Sequence, residues 1–226
     1  LGIYLDGGFA KYNVAPERAL YRISNELPGD EAVFTELLSC VVGGTQKARL
    51  HPGESVAILG SGPVGLMFAL IFKAGGAGKI IMTDISPFRL ESARKIGADV
   101  IVNPQERDPI EVIMDETKGG ADVIVDAVGS LFPQAVAVCN LGGRIVLFGM
   151  NQQAQPVVHQ YTITRHELTI YGTYIGINTF PVAIKMLESG VIKPSVLITH
   201  RLPLEDIHKG FNAARAGQAI KVVITP

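Results

Sequence analysis

From about residue 55 the apolar positions gather into short unbroken runs separated by longer amphipathic stretches. Residues 55–59, 79–83, 99–102, 121–126 and 142–149 have strand length, and 167–172 makes a sixth such run. Near-continuous hydrophobicity, rather than strict alternation, marks strands covered on both faces. Between the runs, residues 66–74, 87–96, 110–117 and 131–138 read as helices. In the second of these Leu90, Ala93 and Ile96 share one face and Gly97 ends it; in the third Gly119-Gly120 is the stop. Strand alternating with helix predicts an α/β fold, a doubly wound parallel sheet with helices over it.

The flanks follow another pattern. Gly7-Gly8 precedes residues 9–14, which alternate like a short strand, and residues 19–23 suggest a second. Two short strands need partners to be stable. Leu27-Pro28-Gly29-Asp30 marks a turn, and Asp30 is placed to cap a helix running through Glu36 toward Val42. After about residue 175 the chain reads as a helix over 180–188 ended by Gly190, an extended stretch at 196–199, an amphipathic helix over 204–216 and a closing strand at 220–224.

Composition narrows the function classes. At 226 residues the chain can bury a sizeable core, and a net charge of −1 predicts neither nucleic-acid nor acidic-membrane binding. No apolar run is long enough to span a bilayer uninterrupted. Cys40 and Cys139 belong to no CxxC pair, which fits a reducing compartment such as the cytoplasm. The chain opens at Leu1 without a signal-peptide pattern, so a mature or truncated chain is expected.

The candidate chemistry lies where the first strand meets its helix. Ser55-Val56-Ala57-Ile58-Leu59 leads into Gly60-Ser61-Gly62-Pro63-Val64-Gly65, and Asp84 closes the next apolar run. A G-x-G-x-x-G turn between strand and helix, followed by a carboxylate at this distance, binds dinucleotides. Gly60 permits the tight turn, Gly62 lets backbone approach a pyrophosphate, and Gly65 lets helix and strand pack closely. Pro63 suits a first helical turn, and the free amides beside it, Val64 the best placed, face a phosphate at the positive helix end. Asp84 would accept hydrogen bonds from a ribose diol and repel a 2′-phosphate. Ile85 adds no compensating cation, so NAD is favoured over NADP.

These and further motifs resemble the medium-chain dehydrogenase/reductases, specifically the zinc-dependent alcohol and polyol dehydrogenases of the sorbitol and threonine branch. Gly7-Gly8-Phe9-Ala10-Lys11-Tyr12 is similar to the family's GGFAEY strand, and Gly60 to Gly65 to its GxGPxG turn. Asp84-Ile85-Ser86-Pro87-Phe88-Arg89-Leu90 with Ala93 and Gly97-Ala98 resembles its D-x-S-x-x-R-L…A…GA segment. Tyr174-Ile175-Gly176 and Ile198-Thr199-His200-Arg201 with Leu204 resemble its C-terminal lobe.

The resemblance implies a Rossmann domain over 38–174. It also implies remnants of a GroES-like, β-rich catalytic domain at both ends, over 1–37 and 175–226. The implied reaction is hydride transfer between NAD and a secondary alcohol or polyol, with zinc polarising the alcohol oxygen. Gly60, Gly62 and Val64 would hold pyrophosphate, and Asp84 and Arg89 the adenosine ribose. Val128, Phe148, Gly149 and Met150 would line the path to the nicotinamide, with Thr173 and Tyr174 beside it and Lys221 contacting a phosphate. Homo-oligomerisation through residues 150–172 is expected, as the family joins its nucleotide sheets there. Glu36 is the one zinc-site candidate, although Leu37 stands where the family usually has proline. The family's catalytic cysteine, G-H-E histidine and four-cysteine lobe all precede the GGFAEY strand, and none is present in these residues. A catalytic zinc takes about three protein ligands, so one glutamate is not enough. The chain is therefore expected to bind NAD without turning over. A non-catalytic NAD(H)-binding module and a zinc-free reductase of the same superfamily stay open as alternatives.

Overall fold

Strand-forming apolar runs, proline at helix starts and glycine at helix ends divide the chain into elements much as their local chemistry dictates. The computed structural model describes residue 2 and residues 4–226. After a 3-10 turn at Glu17–Ala19 come α1 (Gly29–Ala32) and α2 (Thr35–Ala48). Then strand and helix alternate: β1 (Ser55–Leu59), α3 (Pro63–Ala74), β2 (Lys79–Thr83), α4 (Pro87–Lys95), β3 (Val100–Val102), α5 (Pro109–Thr117), β4 (Ala121–Asp126), α6 (Phe132–Ala137), β5 (Cys139–Leu147), α7 (Gln160–Arg165) and β6 (Thr169–Gly172). The chain closes with α8 (Phe180–Glu188), a 3-10 turn at Pro194–Leu197, β7 (Ile198–Pro203), a 3-10 turn at Leu204–Asp206, α9 (Ile207–Arg215) and β8 (Lys221–Thr225). Side chains cap the starts of α4 and α5: the Arg89 amide donates to Ser86 Oγ at 3.4 Å, and the Ile110 amide to Asp108 Oδ1 at 2.8 Å.

Six strands form one parallel sheet in the order β3-β2-β1-β4-β5-β6, with direct pairing such as Ile58 to Met82 and Ile58 to Val125. Every strand carries apolar side chains to both faces. Val56, Ile58, Met82, Val125 and Val146 join the core under α2, α3, α4 and α8; Ala57, Leu59, Ile81, Ile124 and Ile145 join the one under α5 and α6. This order reverses direction between β1 and β4, which opens a crevice beyond the carboxyl ends there. A separate parallel pair, β7 and β8, carries α9 on one side.

Several expectations at the flanks are overturned. Residues 9–14 and 19–23 form no strand; Tyr12 and Val14 are each 92% exposed, and among the described residues no strand lies beside them to pair with. The helix expected to run from Asp30 toward Val42 is divided at Val33-Phe34, because Phe34 turns inward and is fully buried. Asp30 does not cap it: Pro28 precedes α1, and the Asp30 carboxylate pairs with Arg201. Residues 196–199 are not uniformly extended, since the turn begun at Pro194 carries Leu197 into the core before β7 starts. The helix α7 was not expected from Gln160-Tyr161-Thr162-Ile163-Thr164-Arg165, a sequence of strand-favouring residues; packing of Ile163 on the core overrides that preference.

Candidate functional site

The glycine turn lies at the carboxyl end of β1, in the middle of the sheet. Gly60 has φ +105°, which favours glycine, and its amide bonds the Thr83 carbonyl at 2.9 Å. A side chain at Gly65 would collide with the Gly60 carbonyl, whereas one at Gly62 would meet nothing within 4 Å. The first glycine requirement therefore comes from the fold, while the open space beside Gly62 is room for a ligand. No side chain caps the start of α3, so its first-turn amides, Val64 among them, are left for another acceptor. Pro63 occupies the first helical position, as expected.

Asp84 ends β2 beside this turn and is mostly buried. Its Oδ2 accepts the Ser61 amide at 2.9 Å and its Oδ1 the Ser86 amide at 2.9 Å. Arg89 Nη1 stands 3.7 Å from Asp84 Oδ2, and Arg89 Nε is buried without a partner. The carboxylate thus braces the turn from the side while Arg89 leans over it. Ser61, whose hydroxyl also bonds the Thr83 carbonyl at 3.2 Å, belongs to this brace and was not singled out from the sequence.

On the other side of β1, the ends of β4, β5 and β6 form a continuous rim. Asp126, 2% exposed, accepts the amides of Val128 (2.9 Å), Gly129 (2.8 Å) and Leu131 (3.0 Å) on its carboxylate. Its backbone carbonyl accepts those of Phe148 (3.0 Å) and Gly149 (2.9 Å). Gly129 and Gly149 lie back to back, too close for side chains on either. The Phe148 ring packs edge-on against Phe68 at 5.2 Å, so its side chain belongs to the core. Val128, Met150 and Tyr174 are exposed, and Thr173 is buried with a hydroxyl that has no partner. The sequence marked Asp126 only as a strand end; a buried carboxylate followed two and three residues later by loop amides is the signal that could have found it.

Helix α2 overhangs this rim. The stripe Glu36, Cys40, Gly43 and Lys47 meets the segment after β6: the Cys40 thiol donates to Glu36 Oε1 at 3.5 Å, Gly43 abuts Gly176, and Lys47 Nζ donates to the Gly172 carbonyl at 2.6 Å. Burial first, and then the Glu36 charge, push the Cys40 thiol above its ordinary range, while the Gly176 amide pulls the other way. Cys40 is half-buried at this seam and not a core residue; Cys139 is buried, its thiol pushed up to about 12 by burial. Lys221 lies over the Phe34 ring at 5.4 Å, and burial holds its amine below the usual lysine range against the opposing pull of Glu36. A cavity of about 1360 Å³ opens on another side of Lys221, between the N-terminal segment and β8, lined by Phe9, Val14, Val33 and Val223.

Two groups can be tested against this geometry. The uncapped start of α3, the clear space at Gly62 and the unpartnered Arg89 Nε suit the diphosphate and ribose of a dinucleotide. A zinc ion is not suited in the same way. Among the described residues no three His, Cys, Asp or Glu side chains converge, and Glu36 with Cys40 supplies at most two donors. Among the same residues no helix is long and apolar enough to cross a membrane.

Comparison with known proteins bears on the whole arrangement. The family described as "Zinc-binding dehydrogenase" matches residues 63–189, more than half of the chain. Sorbitol dehydrogenase of Bacillus subtilis is 34% identical over 98% of this chain, which spans 64% of that protein. A short chain alcohol dehydrogenase from Escherichia coli CFT073, solved with NADH, superposes with a TM-score of 0.92 at 29% identity, over 100% of this chain and 68% of that one. A candidate zinc-binding dehydrogenase from Sinorhizobium meliloti 1021, solved with NADP, superposes with a TM-score of 0.93 at 27% identity over the same shares. With the strand order, the glycine turn and these likenesses in agreement, the chain belongs to the zinc-binding dehydrogenase family.

Proposed function

We propose that this chain is the nucleotide-binding portion of an NAD-linked alcohol or polyol dehydrogenase, and that it holds NAD across the carboxyl edge of the six-stranded sheet. The observation that carries this reading is the uncapped α3 start beside open space at Gly62, flanked by the Asp84–Arg89 pair. Gly60, Gly62, Pro63, Val64 and Gly65 form the pyrophosphate cradle, where first-turn amides meet the negative oxygens. Asp84 keeps lone pairs for a ribose diol, and Arg89 covers it. A 2′-phosphate would stand against the Asp84 charge with one half-buried guanidinium to offset it, which favours NAD in this chain although the fold takes NADP elsewhere. Across β1, Val128, Phe148, Gly149 and Met150 border the path, and Thr173 and Tyr174 the nicotinamide end, the ring that exchanges hydride with the alcohol when NAD is bound. Lys221 at the α2 end is the cation assigned to a phosphate oxygen.

Glu36 is the candidate this chain offers to a zinc centre, but the described residues do not complete one. We assign catalysis to the parent enzyme and NAD binding to this chain. The divisions 1–37, 38–174 and 175–226 are the proposed parts of catalytic, nucleotide and returning catalytic domains, in a cytoplasmic homo-oligomer acting on a small alcohol or polyol. The same lack of metal donors favours one second reading, a non-catalytic NAD(H)-binding module.

Titration of the purified chain with NADH, followed by nicotinamide fluorescence, tests the cofactor reading. Binding is expected below millimolar concentration, and Asp84→Arg is expected to weaken NADH about tenfold or more. An unaltered chain that ignores millimolar NADH, or an Asp84→Arg variant with the same affinity, would remove the reading. Polyol oxidation by this chain alone at ordinary enzyme rates would refute the assignment of catalysis elsewhere.

A further inference from the structure

The amides along the β4–β6 rim are spent inside the protein. Ala127 donates to the Leu59 carbonyl (3.0 Å), Val128 and Gly129 to the Asp126 carboxylate, Phe148 and Gly149 to the Asp126 carbonyl, and Thr173 to the Leu147 carbonyl (2.9 Å). The carbonyls of Val128, Phe148 and Thr173 accept none of the hydrogen bonds found among the described residues. Thr173 also holds a buried hydroxyl with no partner. Five of the contacts that produce this pattern, counting the Leu131 amide (3.0 Å), converge on one residue, Asp126.

We propose that Asp126 is a positioning residue that sets the hydrogen-bonding polarity of this rim: by taking up its loop amides, it leaves the edge over β4 and β5 able to accept hydrogen bonds but not to donate them. The inference rests on the dinucleotide reading above and deepens it. Strand order places the adenosine half over β2, the pyrophosphate over β1 and the remaining half over β4 to β6. An edge of carbonyl oxygens accepts the two N–H donors of a nicotinamide carboxamide. It rejects a nicotinate carboxylate, which brings only lone pairs and a negative charge. Asp126 itself touches no ligand; it acts through Val128, Gly129, Phe148 and Gly149.

Three ligands separate this inference from its foundation. ADP-ribose lacks the pyridine ring, NAD carries the carboxamide, and nicotinic acid adenine dinucleotide carries the carboxylate. By calorimetry the unaltered chain should bind ADP-ribose and prefer NAD over the nicotinate analogue about tenfold or more. Asp126→Asn keeps the shape but presents an N–H₂ group to one of the three loop amides. It should bind ADP-ribose within about twofold of the unaltered chain while its NAD preference falls below about threefold. If the unaltered chain does not bind ADP-ribose, the dinucleotide reading fails and this one with it. If ADP-ribose binds but NAD and its nicotinate analogue bind alike, only the present inference fails. It fails too if Asp126→Asn keeps the full preference, or loses ADP-ribose as much as NAD, the mark of a merely structural role. Hydrogen exchange in the unaltered chain gives a test independent of the variant. The amides of Val128, Gly129, Phe148 and Gly149 should already be protected without ligand; protection that arrives only with NAD would mean that they donate to it, and would overturn the proposal.

Discussion

Two glycines five and three residues from the ends of one turn do different work. Gly65 is required by packing, since any side chain there meets the Gly60 carbonyl. Gly62 has φ −70° and empty space before it, so the fold alone does not require glycine at that position. Gly65→Ala should therefore destabilise the chain by about 1–3 kcal/mol through overpacking. Gly62→Ala should cost less than about 1 kcal/mol of stability, as an exchange at a helix N-cap, yet weaken NADH about tenfold or more by occupying the pyrophosphate approach. Thermal melts and NADH titrations of the two variants check the split; equal effects on both properties would argue that both glycines are structural. The six-residue motif was legible in sequence because turn chemistry is local. That Asp84 also holds the Ser61 amide was not, because it depends on two strand ends meeting.

At the scale of elements, the amino ends of β1, β4 and β5 are tied by a polar cluster opposite the candidate site. Asp122 accepts the Ser55 amide (2.9 Å) and hydroxyl (2.7 Å) on Oδ2 and the Asn140 side-chain amide (3.1 Å) on Oδ1. Arg144 reaches Glu54 at 2.6 Å, the Arg49 carbonyl and the Asp122 carbonyl. Burial alone would raise the Asp122 carboxyl, but the Ser55 and Asn140 hydrogen bonds, with the Arg144 charge, bring it below the ordinary range. A carboxyl depressed in the folded state binds protons less readily folded than unfolded. Its stabilisation is complete above an unfolded value of about 4 and is lost as pH falls through the lower folded value. Melting temperature measured from about pH 5 down to about pH 2 should drop less steeply in Asp122→Asn than in the unaltered chain; parallel curves would show that Asp122 contributes nothing to the acid limb. The strands themselves were predictable because each is buried on both faces and reads as an apolar run. The short α7 was not, because its residues favour strand and only the Ile163 contact with the core decides for helix.

For the whole molecule, the sheet ends at β6, whose outer edge has no strand beside it among the described residues. Val157 and Tyr161, 85% and 74% exposed, stand in the segment that leads to it. An unpaired edge beside exposed apolar side chains favours association with another sheet. Exposed Phe9, Tyr12 and Val14 add apolar surface at the N-terminal end. Sedimentation of the chain at about 10–100 μM should show a dimer or larger species, with Tyr161→Glu shifting it toward monomer. A clean monomer over that range would argue against both surfaces as contacts. The flanks were the least legible part of the fold for the same reason: residues 9–14 have the alternation of a strand but no neighbour to bond, and a strand is a property of a pair.

What the sequence determined by itself is the repeating strand–helix order from residue 55 to residue 172, the glycine turn after the first strand and the acidic end of the second. Each depends on residues within a few positions of one another: apolar runs, proline and glycine at element ends, a turn that tolerates no side chain. Only the tertiary structure decided that Asp126 gathers the amides of two loops, that the Phe148 ring belongs to the core, that Lys221 rests on Phe34, and that Glu36 stands with Cys40 and no third donor among the described residues. These join positions far apart along the chain, and no local pattern encodes which distant atoms the packing of a doubly covered sheet will bring within hydrogen-bonding distance.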